Sequence, residues 1–513
     1  MKKLAEELVA RAERTPDVVA VIDGGGGHPL CDVVAQAREV EALLARAQSG
    51  APTVLVEADN SWRTLAAAVA VGLRGGLVAV ISGHASRAEY ELALEDIQPD
   101  AVIASPQALA AWHVDDAAFP ALGDVLDGWP LCAATGPTGG VERWGGGVVI
   151  AMTSGSTGRA KCVVQSEAAL RYAGQATIDA VGLQPGDPVG ALVPLSSVAA
   201  FCFGMYLPAM LGSPMVCLDK WSPEEAVQLL RDRQVAWTML VPTMALQLSL
   251  VAGSEGALSS LKAMTVGGGP MNASALETAE RHLGTRFLRV FGMSECLGHT
   301  TPLPSDPVDL RLGCDGRPFP GTRIRVVGAD GGPLPAGEVG QAQVRGPSLF
   351  VGYARNGAAR PAEVTADGFL PTGDLAVLNG DGTITIRGRE KQIIIRGGRN
   401  IDINEVEASV AAIPGIAQVC VVPVPDDLLG ERAAALVVFS GAVLGLEEVR
   451  EHLRGAGVSK FKWPEFVYAV RALPQNRVGK LNRVEAVALA AQLAGAETGS
   501  DRPAPTSDGS HDR

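Results

Sequence analysis

The chain has 513 residues, of which 47% are hydrophobic and 19% are charged. This length exceeds an ordinary single core, so two or more domains are expected. The formal net charge of −13 argues against a nucleic-acid partner, because binding nucleic acid requires a basic surface. The eight cysteines are scattered without a C-x-x-C pair, which fits neither a zinc site nor a disulfide framework and favours a reducing cytoplasm.

No membrane or export segment is predicted. The N-terminal residues 1–16 mix charged side chains and lack the apolar core of a signal peptide. The most apolar window, residues 65–82, is interrupted by Arg74 and two glycines. It therefore predicts a buried helix followed by a strand, not a membrane span.

Strands and helices alternate along the N-terminal two-thirds of the chain. The apolar run 148–152 predicts a buried strand, and residues 214–218 predict another. A helix is expected after Ser222, with Pro223 at its first position and Glu225 completing a capping box. The next predicted elements are strand 235–241, strand 264–266, helix 273–283 and strand 287–291. This rhythm predicts an α/β fold with parallel sheets covered by helices.

The pattern of apolar and turn-forming residues changes twice further along the chain. Residues 313–352 form short alternating segments with Gly/Pro turns, which predict a smaller β-rich region. A basic, polar stretch at 388–392 then precedes the apolar strand 393–395 and a compact α+β module. The expected domains are 1–389, a mobile C-terminal α+β domain 390–495, and a disordered tail 496–513.

A Gly- and hydroxyl-rich turn follows the strand 148–152. Glycines let the backbone approach a phosphate closely, while N–H groups and hydroxyls donate to its oxygens. No Gly-Lys-Ser/Thr sequence is present, so this is not a Walker loop; a flexible surface loop is the alternative. The candidate nucleotide-binding residues of this turn are Thr153, Ser154, Gly155, Ser156, Thr157, Gly158 and Lys161.

This turn resembles the phosphate loop of the adenylate-forming superfamily, which contains acyl-CoA synthetases, adenylation domains and luciferases. Further matching segments follow in the family's order and cover nearly the whole chain: 267–270, 291–295, 372–374, 388–389 and 473–480. The resemblance implies a large N-terminal domain for ATP, Mg²⁺ and the acid, followed by a mobile C-terminal domain.

The resemblance assigns roles to these segments. Ser294 is expected to touch the adenylate phosphate, and Glu295, at a predicted strand end, supplies the hard oxygen that Mg²⁺ prefers, with Thr153 as a second metal contact. Asp374 is expected to accept from both ribose hydroxyls, and Arg389 to reach the ribose or phosphate. The remaining expected adenylate contacts are Gly268, Gly269, Pro270, Phe291 and Gly292.

Lys480 is the residue expected to catalyse adenylation. It matches a C-terminal Gly-Lys signature whose lysine bridges the substrate carboxylate and the α-phosphate. In relatives the C-terminal domain then rotates about the position of Gln392 and brings a turn, here Gly397 and Gly398, to the pantetheine tunnel. The implied enzyme is an AMP-forming ligase that joins a carboxylic acid to coenzyme A.

The acid is expected to be apolar and to lack an α-amino group. Amino-acid-activating relatives place an aspartate after the region of Pro194, whereas residues 193–216 contain no acidic side chain. The expected acyl-pocket residues are Ser197, Phe201, Phe203 and Gly267. Ser197 stands where fatty- or aryl-acid relatives commonly have histidine, so the small side chain favours a bulky alicyclic, aromatic or polycyclic acid.

Three departures from the family pattern leave alternatives open: Cys162 after the phosphate-loop lysine, Gln392 at the hinge, and Ser197. Cys162 is expected to alter the loop conformation. Together they leave open the alternative that adenylation is impaired and that the enzyme only thioesterifies a supplied acyl-adenylate. A carrier-protein phosphopantetheine arm is an alternative thiol, and a homodimer or a partner ligase stays open. A non-catalytic scaffold and a luciferase-like oxidase are disfavoured, the former because Lys480 and Glu295 are present.

Overall fold

A computed structural model of the protein describes residues 1–47, 50–136, 139–153, 159–269, 271–389, 393–396, 399–426, 428–476 and 479–500. These residues form two compact units, of which the first consists chiefly of Met1–Ile386 and the second begins at Arg387. The division falls near the boundary predicted after Arg389. None of the described helices is both long enough and apolar enough to cross a bilayer.

The helices of the first unit are mostly short. They are α1 (Lys2–Arg14), α2 (Leu30–Ala47), α3 (Trp62–Leu73), α4 (Arg87–Ile97), α5 (Pro106–Trp112), α6 (Glu167–Val181), α7 (Val198–Ala200), α8 (Leu207–Leu211), α9 (Pro223–Asp232), α10 (Pro242–Leu248), α11 (Ala273–Leu283) and α12 (Val308–Gly313). A 3₁₀ turn covers Val141–Trp144, and a π-helical segment, Phe201–Tyr206, joins α7 to α8.

The strands of this unit, the last of which extends into the second unit, fall into four sheets among the described residues. In chain order they are β1 (Val19–Asp23), β2 (Gly26–Pro29), β3 (Thr53–Glu57), β4 (Leu77–Ile81), β5 (Ala101–Ile103), β6 (Ala121–Val125), β7 (Trp129–Ala133), β8 (Gly147–Thr153), β9 (Lys161–Ser166), β10 (Val189–Ala191), β11 (Met215–Cys217), β12 (Trp237–Leu240), β13 (Ala263–Gly267), β14 (Phe287–Val290), β15 (Thr300–Thr301), β16 (Arg317–Pro318), β17 (Arg323–Val327), β18 (Val339–Arg345), β19 (Gly352–Arg355), β20 (Ala358–Arg360), β21 (Leu370–Leu378) and β22 (Ile384–Arg389).

Two large sheets dominate the first unit. One has the order β14-β13-β12-β10-β11-β1-β2 and is parallel except for β2. The other has the order β20-β19-β9-β8-β4-β3-β5-β7-β6, with a parallel centre, β8-β4-β3-β5, between antiparallel flanks. The smaller sheets are β15-β16 and β17-β18-β21-β22. The predicted parallel βα architecture and the β-rich region after residue 313 are therefore confirmed.

The core of this unit lies on both faces of the β8-β4-β3-β5 strands. Val54 and Val56 of β3 join one apolar cluster, which also contains α3 and the other large sheet. Leu55, between them, points into a second cluster. Both faces are thus buried, as is usual for parallel strands. The apolar window 65–82 forms the buried helix α3 and the strand β4, as predicted.

Local sequence signals explain several element boundaries. Helix α9 begins after Ser222, whose Oγ accepts a hydrogen bond from Glu225 N at 3.2 Å, and Pro223 occupies its first turn. The reciprocal bond, from Ser222 N to the Glu225 carboxylate, is not formed; Ser222 Oγ instead donates to Glu224 Oε2 at 3.3 Å. The capping-box prediction was therefore wrong in its second half. Helix α11 has the bounds that were predicted for it.

The second unit is an α+β module. It contains β23 (Ile393–Arg396), β24 (Arg399–Asp402), α13 (Ile403–Ala411), β25 (Ile416–Asp426), β26 (Gly430–Phe439), α14 (Leu446–Gly455), a 3₁₀ turn (Lys460–Lys462), β27 (Phe466–Ala469) and α15 (Arg483–Ser500). The sheet order is β24-β23-β26-β25, with β27 parallel to β26. Helix α15 continues past Gly495 into the first residues of the predicted tail, while residues 501–513 lie outside the described chain.

Candidate active site

Adjacent parallel strands bring two predicted adenylate segments to one edge of a sheet. Strands β13 and β14 pair in parallel, with Gly267 opposite Val290. Gly267 is required there because a Cβ would lie 2.7 Å from Val290 Cγ2. The following Gly268 has φ +83°, a conformation that favours glycine. Both segments therefore leave their strands at the carboxyl end, where ligands of open α/β sheets bind. Pro270 lies outside the described residues.

The antiparallel strands β8 and β9 flank the predicted phosphate-binding segment 154–158, called the phosphate turn below. Thr153 pairs with Lys161, and Thr153 Oγ1 donates a long hydrogen bond to Lys161 O at 3.4 Å. Residues 154–158, which contain the predicted Ser154, Gly155, Ser156, Thr157 and Gly158, lie outside the described chain. The two flanking candidates, Thr153 and Lys161, are thus placed side by side by strand pairing.

An ion-pair cluster anchors the chain just after this turn. Asp96, on α4, has a carboxylate that is only 1% exposed. Arg159 Nη2 lies 3.2 Å from Asp96 Oδ2, and Arg355 of β19 forms an ion pair with the same oxygen. A buried carboxylate needs such compensation, and removing its partners costs several kcal/mol. The cluster therefore ties the residue that follows the turn to the protein core.

Cys162 lies on the face of β9 that is opposite to Lys161. Alternate residues of a strand point to opposite faces, so Lys161, Val163 and Gln165 share one face. Cys162 is fully buried in the cluster that contains Ile150. Burial raises the pKa of its thiol to about 12, so the side chain is a neutral core residue. The loop whose conformation Cys162 was expected to alter lies outside the described residues.

The segment after β14 carries Ser294 and Glu295 and is held at three points. Gln165 Nε2 donates to Ser294 O at 2.8 Å, and Phe350 N donates to Glu295 O at 2.8 Å. The phenol of Tyr353 donates to Glu295 Oε1 at 2.7 Å. Glu295 is 9% exposed, so this charge-assisted bond is largely shielded from solvent. No other residue in the described ranges donates to this carboxylate, so its second oxygen can bind a ligand such as a hard cation.

Tyr353 links Glu295 to the candidate lysine of the phosphate turn. The Lys161 ammonium lies 5.1 Å from the centroid of the Tyr353 ring, within cation–π distance. Burial, followed by the charge of Glu295, raises the pKa of Tyr353, which keeps its phenol protonated. Sequence reasoning missed Tyr353 and Gln165, which are 58 and 129 residues away from their partners in the chain. No motif spacing signals such contacts.

Asp374 lies inside a strand of the small β-rich sheet. It follows Gly373, whose φ is +73°, and is 5% exposed on β21. Its backbone N donates to Thr372 Oγ1 at 3.1 Å, while that hydroxyl donates to Ala342 O at 2.9 Å. The Thr-Gly-Asp backbone is therefore fixed by the neighbouring strand β18.

Two of the predicted residues near or in the second unit, Arg389 and Lys480, are among the described residues. Arg389 is exposed at the end of β22. The preceding Gly388 leaves no room for a Cβ, which would lie 2.0 Å from Asn404 Nδ2. Lys480 is exposed, and its backbone is fixed by Asn476, whose Oδ1 accepts from Lys480 N at 2.9 Å. Gln392, Gly397 and Gly398 lie outside the described residues.

The predicted acyl-pocket residues differ in their surroundings. Ser197 caps α7, because its Oγ accepts from Ala200 N at 3.2 Å. Phe201 is fully buried in the core, whereas Phe203 packs edge-on against Trp237 with ring centroids 6.4 Å apart. A Cβ on Gly298 would lie 3.2 Å from Phe203 Cζ, so Gly298 permits the chain to approach this ring.

His299, which sequence reasoning also missed, lies directly beside these residues. Its ring stacks on Phe291, with centroids 4.7 Å apart. It is completely buried, and neither ring nitrogen has a hydrogen-bond partner among the described residues. Burial lowers the pKa of His299 to about 3, so the imidazole is neutral near pH 7.

Comparison with known proteins identifies the family of the chain. The model of the AMP-binding enzyme family matches residues 8–354, and the model of the AMP-binding enzyme C-terminal domain matches residues 405–480. The chain belongs to the AMP-binding enzyme family. Relatives matched in this family include proteins named as acyl-CoA ligases and related adenylating enzymes.

The relatives differ in how much of this chain and of their own chain the alignment covers. The salicylyl-CoA synthase / salicylate adenylyltransferase of a Streptomyces species is 30% identical over 94% of this chain and 92% of that protein. Triostin synthetase I of Streptomyces triostinicus is 34% identical over 345 residues, 67% of this chain but 65% of that protein. ATP-bound MatB of Rhodopseudomonas palustris shares the fold, with a TM-score of 0.81 over 96% of this chain and 99% of that chain, at 24% identity.

Proposed function

We propose that this enzyme activates an apolar, non-amino carboxylic acid as its acyl-adenylate and then transfers the acyl group to coenzyme A. The observation that carries the proposal is the meeting of Lys161 and Glu295 at Tyr353. A cation beside a predicted phosphate-binding segment and a carboxylate in the segment after β14 suit the phosphates and the metal of a magnesium-bound triphosphate.

In the first half-reaction, a carboxylate oxygen of the acid attacks the α-phosphorus of ATP. A new O–P bond forms, the bond to the bridging oxygen breaks, and pyrophosphate leaves with the electron pair. Lys480 neutralises charge between the acid and the α-phosphate, and Lys161 neutralises charge on the leaving phosphates. Preorganised charges of this kind lower the barrier because charge is redistributed at the transition state.

The residues around Glu295 fit a magnesium ion that arrives with ATP. Mg²⁺ is usually bound through one or two carboxylates together with phosphates and water. Within the described parts of the chain, no group of three or more His, Cys, Asp or Glu residues could hold a metal by itself. Glu295 and the Thr153 hydroxyl are the proposed contacts, and the bound ion would supply charge neutralisation on the phosphates.

In the second half-reaction, a thiolate attacks the acyl carbon. A C–S bond forms, the acyl C–O bond breaks, and AMP leaves. Asp374 and Arg389 are proposed to hold AMP through its ribose and phosphate. Rotation about Gln392 would withdraw Lys480 and bring Gly397 and Gly398 to the thiol path. A carrier-protein phosphopantetheine arm is the alternative thiol, since it ends in the same group as coenzyme A.

An aromatic or other bulky ring acid is the proposed substrate class. No acidic side chain is present in residues 193–216 to pair an α-amino group. Phe203, Gly298 and Phe319 form an apolar, ring-lined environment, since a Cβ on Gly298 would lie 2.7 Å from Phe319 Cε2. The Streptomyces relative that matches over most of both chains is named for salicylate, an aromatic acid.

The test supplies ATP, Mg²⁺ and coenzyme A with a panel of acids and detects AMP and acyl-CoA by mass spectrometry. The panel contains benzoate, salicylate, naphthoate, cyclohexanecarboxylate and octanoate. 3-Phenylpropionate and phenylalanine form a matched pair that differs only in the amine. Parallel reactions receive the synthetic acyl-adenylates, and others receive a phosphopantetheinylated carrier protein.

Acyl-CoA from a ring acid and from 3-phenylpropionate, but not from phenylalanine, is the expected result. Product from the adenylates alone would establish the alternative of a thioesterification enzyme. The buried position of Cys162 weighs against that alternative, because its side chain lies in the core and not on the Lys161 face. Product from phenylalanine would contradict the proposed substrate class.

A further inference from the structure

The main chain around Glu295 is fixed independently of its side chain. Gln165 and Phe350 bond the carbonyl oxygens of Ser294 and Glu295, each at 2.8 Å. The next residue, Cys296, forms isolated β-bridges with Met293 and Leu349. With the main chain fixed, the side chain of Glu295 can still rotate. The hydrogen bond from the Tyr353 hydroxyl limits this rotation.

Tyr353 is itself held rigidly. It lies on β19, paired with Val163 of β9, so its side chain shares a face with Lys161 and Gln165. The Phe350 ring packs edge-on against it, with centroids 4.9 Å apart and an interplanar angle of 71°. A rigid phenol can fix the orientation of the group to which it donates.

The hydrogen bond from Tyr353 gives the two carboxylate oxygens of Glu295 different roles. An ionised carboxylate only accepts, so the Tyr353 hydroxyl donates to Glu295 Oε1. Since no other described residue donates to this carboxylate, Oε2 can bind a ligand. Partners that orient a metal-binding carboxylate in this way commonly change metal affinity by about 10–100-fold when they are removed.

The ring of Tyr353 has a second contact. Lys161 Nζ lies 5.1 Å from the ring centroid, on the strand that follows the phosphate turn. The phenol thus touches the metal-binding candidate through its hydroxyl and the phosphate-binding candidate through its ring. These two contacts can be separated by substitution.

We propose that Tyr353 is a positioning residue that orients Glu295 for the divalent cation through its hydroxyl and steadies Lys161 for the triphosphate through its ring. This inference rests on the proposed use of ATP and Mg²⁺ at this site. It assigns Tyr353 no direct contact with substrate. The hydroxyl sets cation affinity, and the ring contributes to nucleotide affinity in the absence of a cation.

The test measures binding without turnover. Mn²⁺, which accepts the same oxygen ligands as Mg²⁺, is titrated into the full-length protein with α,β-methylene-ATP and followed by electron paramagnetic resonance. Nucleotide affinity without metal is measured separately by calorimetry. The variants are Y353F, which keeps the ring, and Y353L, which removes ring and hydroxyl. Y172F is the matched control, because the Tyr172 hydroxyl bonds Pro320 O and Thr322 instead.

The expected result is an Mn²⁺ affinity about 10–100-fold weaker in Y353F, with metal-free nucleotide affinity unchanged. Y353L should lose both affinities, and Y172F should match the unmodified protein. Circular dichroism melting curves show whether each variant is folded; if Y353L is unfolded, Y353F carries the test of the hydroxyl and K161M, which removes the ammonium, replaces Y353L.

Unchanged Mn²⁺ affinity in Y353F, while the unmodified protein binds Mn²⁺ with nucleotide, would overturn the orienting role of the hydroxyl and leave the proposed function standing. Unchanged metal-free nucleotide affinity in Y353L or K161M would overturn the role of the ring contact. An unmodified protein that binds neither nucleotide nor Mn²⁺ would overturn the inference and the ATP-dependent function together.

Discussion

The two faces of strand β9 have different tasks in this molecule. One face carries Lys161 and Gln165, which contact Tyr353 and the Ser294–Glu295 segment. The other carries Cys162 and Val164, which are fully buried among apolar side chains. Because side chains alternate along a strand, neighbouring residues can serve chemistry and packing separately. A residue that departs from the family pattern can therefore be interpreted only when the face of the strand on which it lies is known. On the buried face, such a residue changes packing and not chemistry.

Lys161→Ala should have the largest effect among the β9 substitutions. It removes the cation that is proposed to face the triphosphate, so adenylation should fall on the order of 100-fold. Pyrophosphate release measures the rate, and Lys161→Arg, which keeps the charge, should retain more activity. An adenylation rate that is unaffected in Lys161→Ala would break the assignment of this face to chemistry.

Gln165→Leu should reduce adenylation by roughly 10-fold, since it removes the donor to Ser294 O while keeping the side-chain volume. The effect should appear as a higher Mg²⁺ requirement in a titration of the adenylation rate. Gln175→Leu, at an exposed position of α6, is the control and should behave like the unmodified enzyme. A lower rate with an unchanged Mg²⁺ requirement would show that Gln165 acts on folding alone.

Cys162→Ala should have the smallest effect on activity and a measurable one on stability. Truncating a fully buried thiol leaves a small cavity, so the free energy of unfolding should fall by about 1 kcal/mol. Urea unfolding measures this loss, while pyrophosphate release should be unchanged. A large change in the adenylation rate would mean that Cys162 acts on the phosphate turn after all.

Sequence reasoning located the elements and motif residues because both depend on local signals. Helix α11 and strand β13 follow from apolar periodicity and flanking turn residues. Lys161 begins β9 and Glu295 lies in the segment after β14, so both stand beside apolar runs that the sequence shows. The burial of Cys162 could not be predicted, because the sequence does not show which apolar cluster each face of β9 contacts.

Residues that support the site were not predictable in this way. Tyr353 and Gln165 meet the Glu295 segment only because β9 and β19 are neighbours in the folded sheet. Asp96 acts through two arginines that are distant in sequence, and His299 is distinguished by its complete burial and its stacking on Phe291. Such contacts follow from tertiary packing, which no spacing in the chain encodes.

The most direct test of the central claim compares the two half-reactions in Lys480→Ala. Adenylation is followed by pyrophosphate release from acid and ATP, and thioesterification by acyl-CoA formation from the matching synthetic acyl-adenylate. The account predicts that adenylation falls on the order of 100-fold or more while thioesterification is retained, because Lys480 acts on charge that exists only in the first step. Equal loss of both half-reactions, or no loss in either, would contradict it.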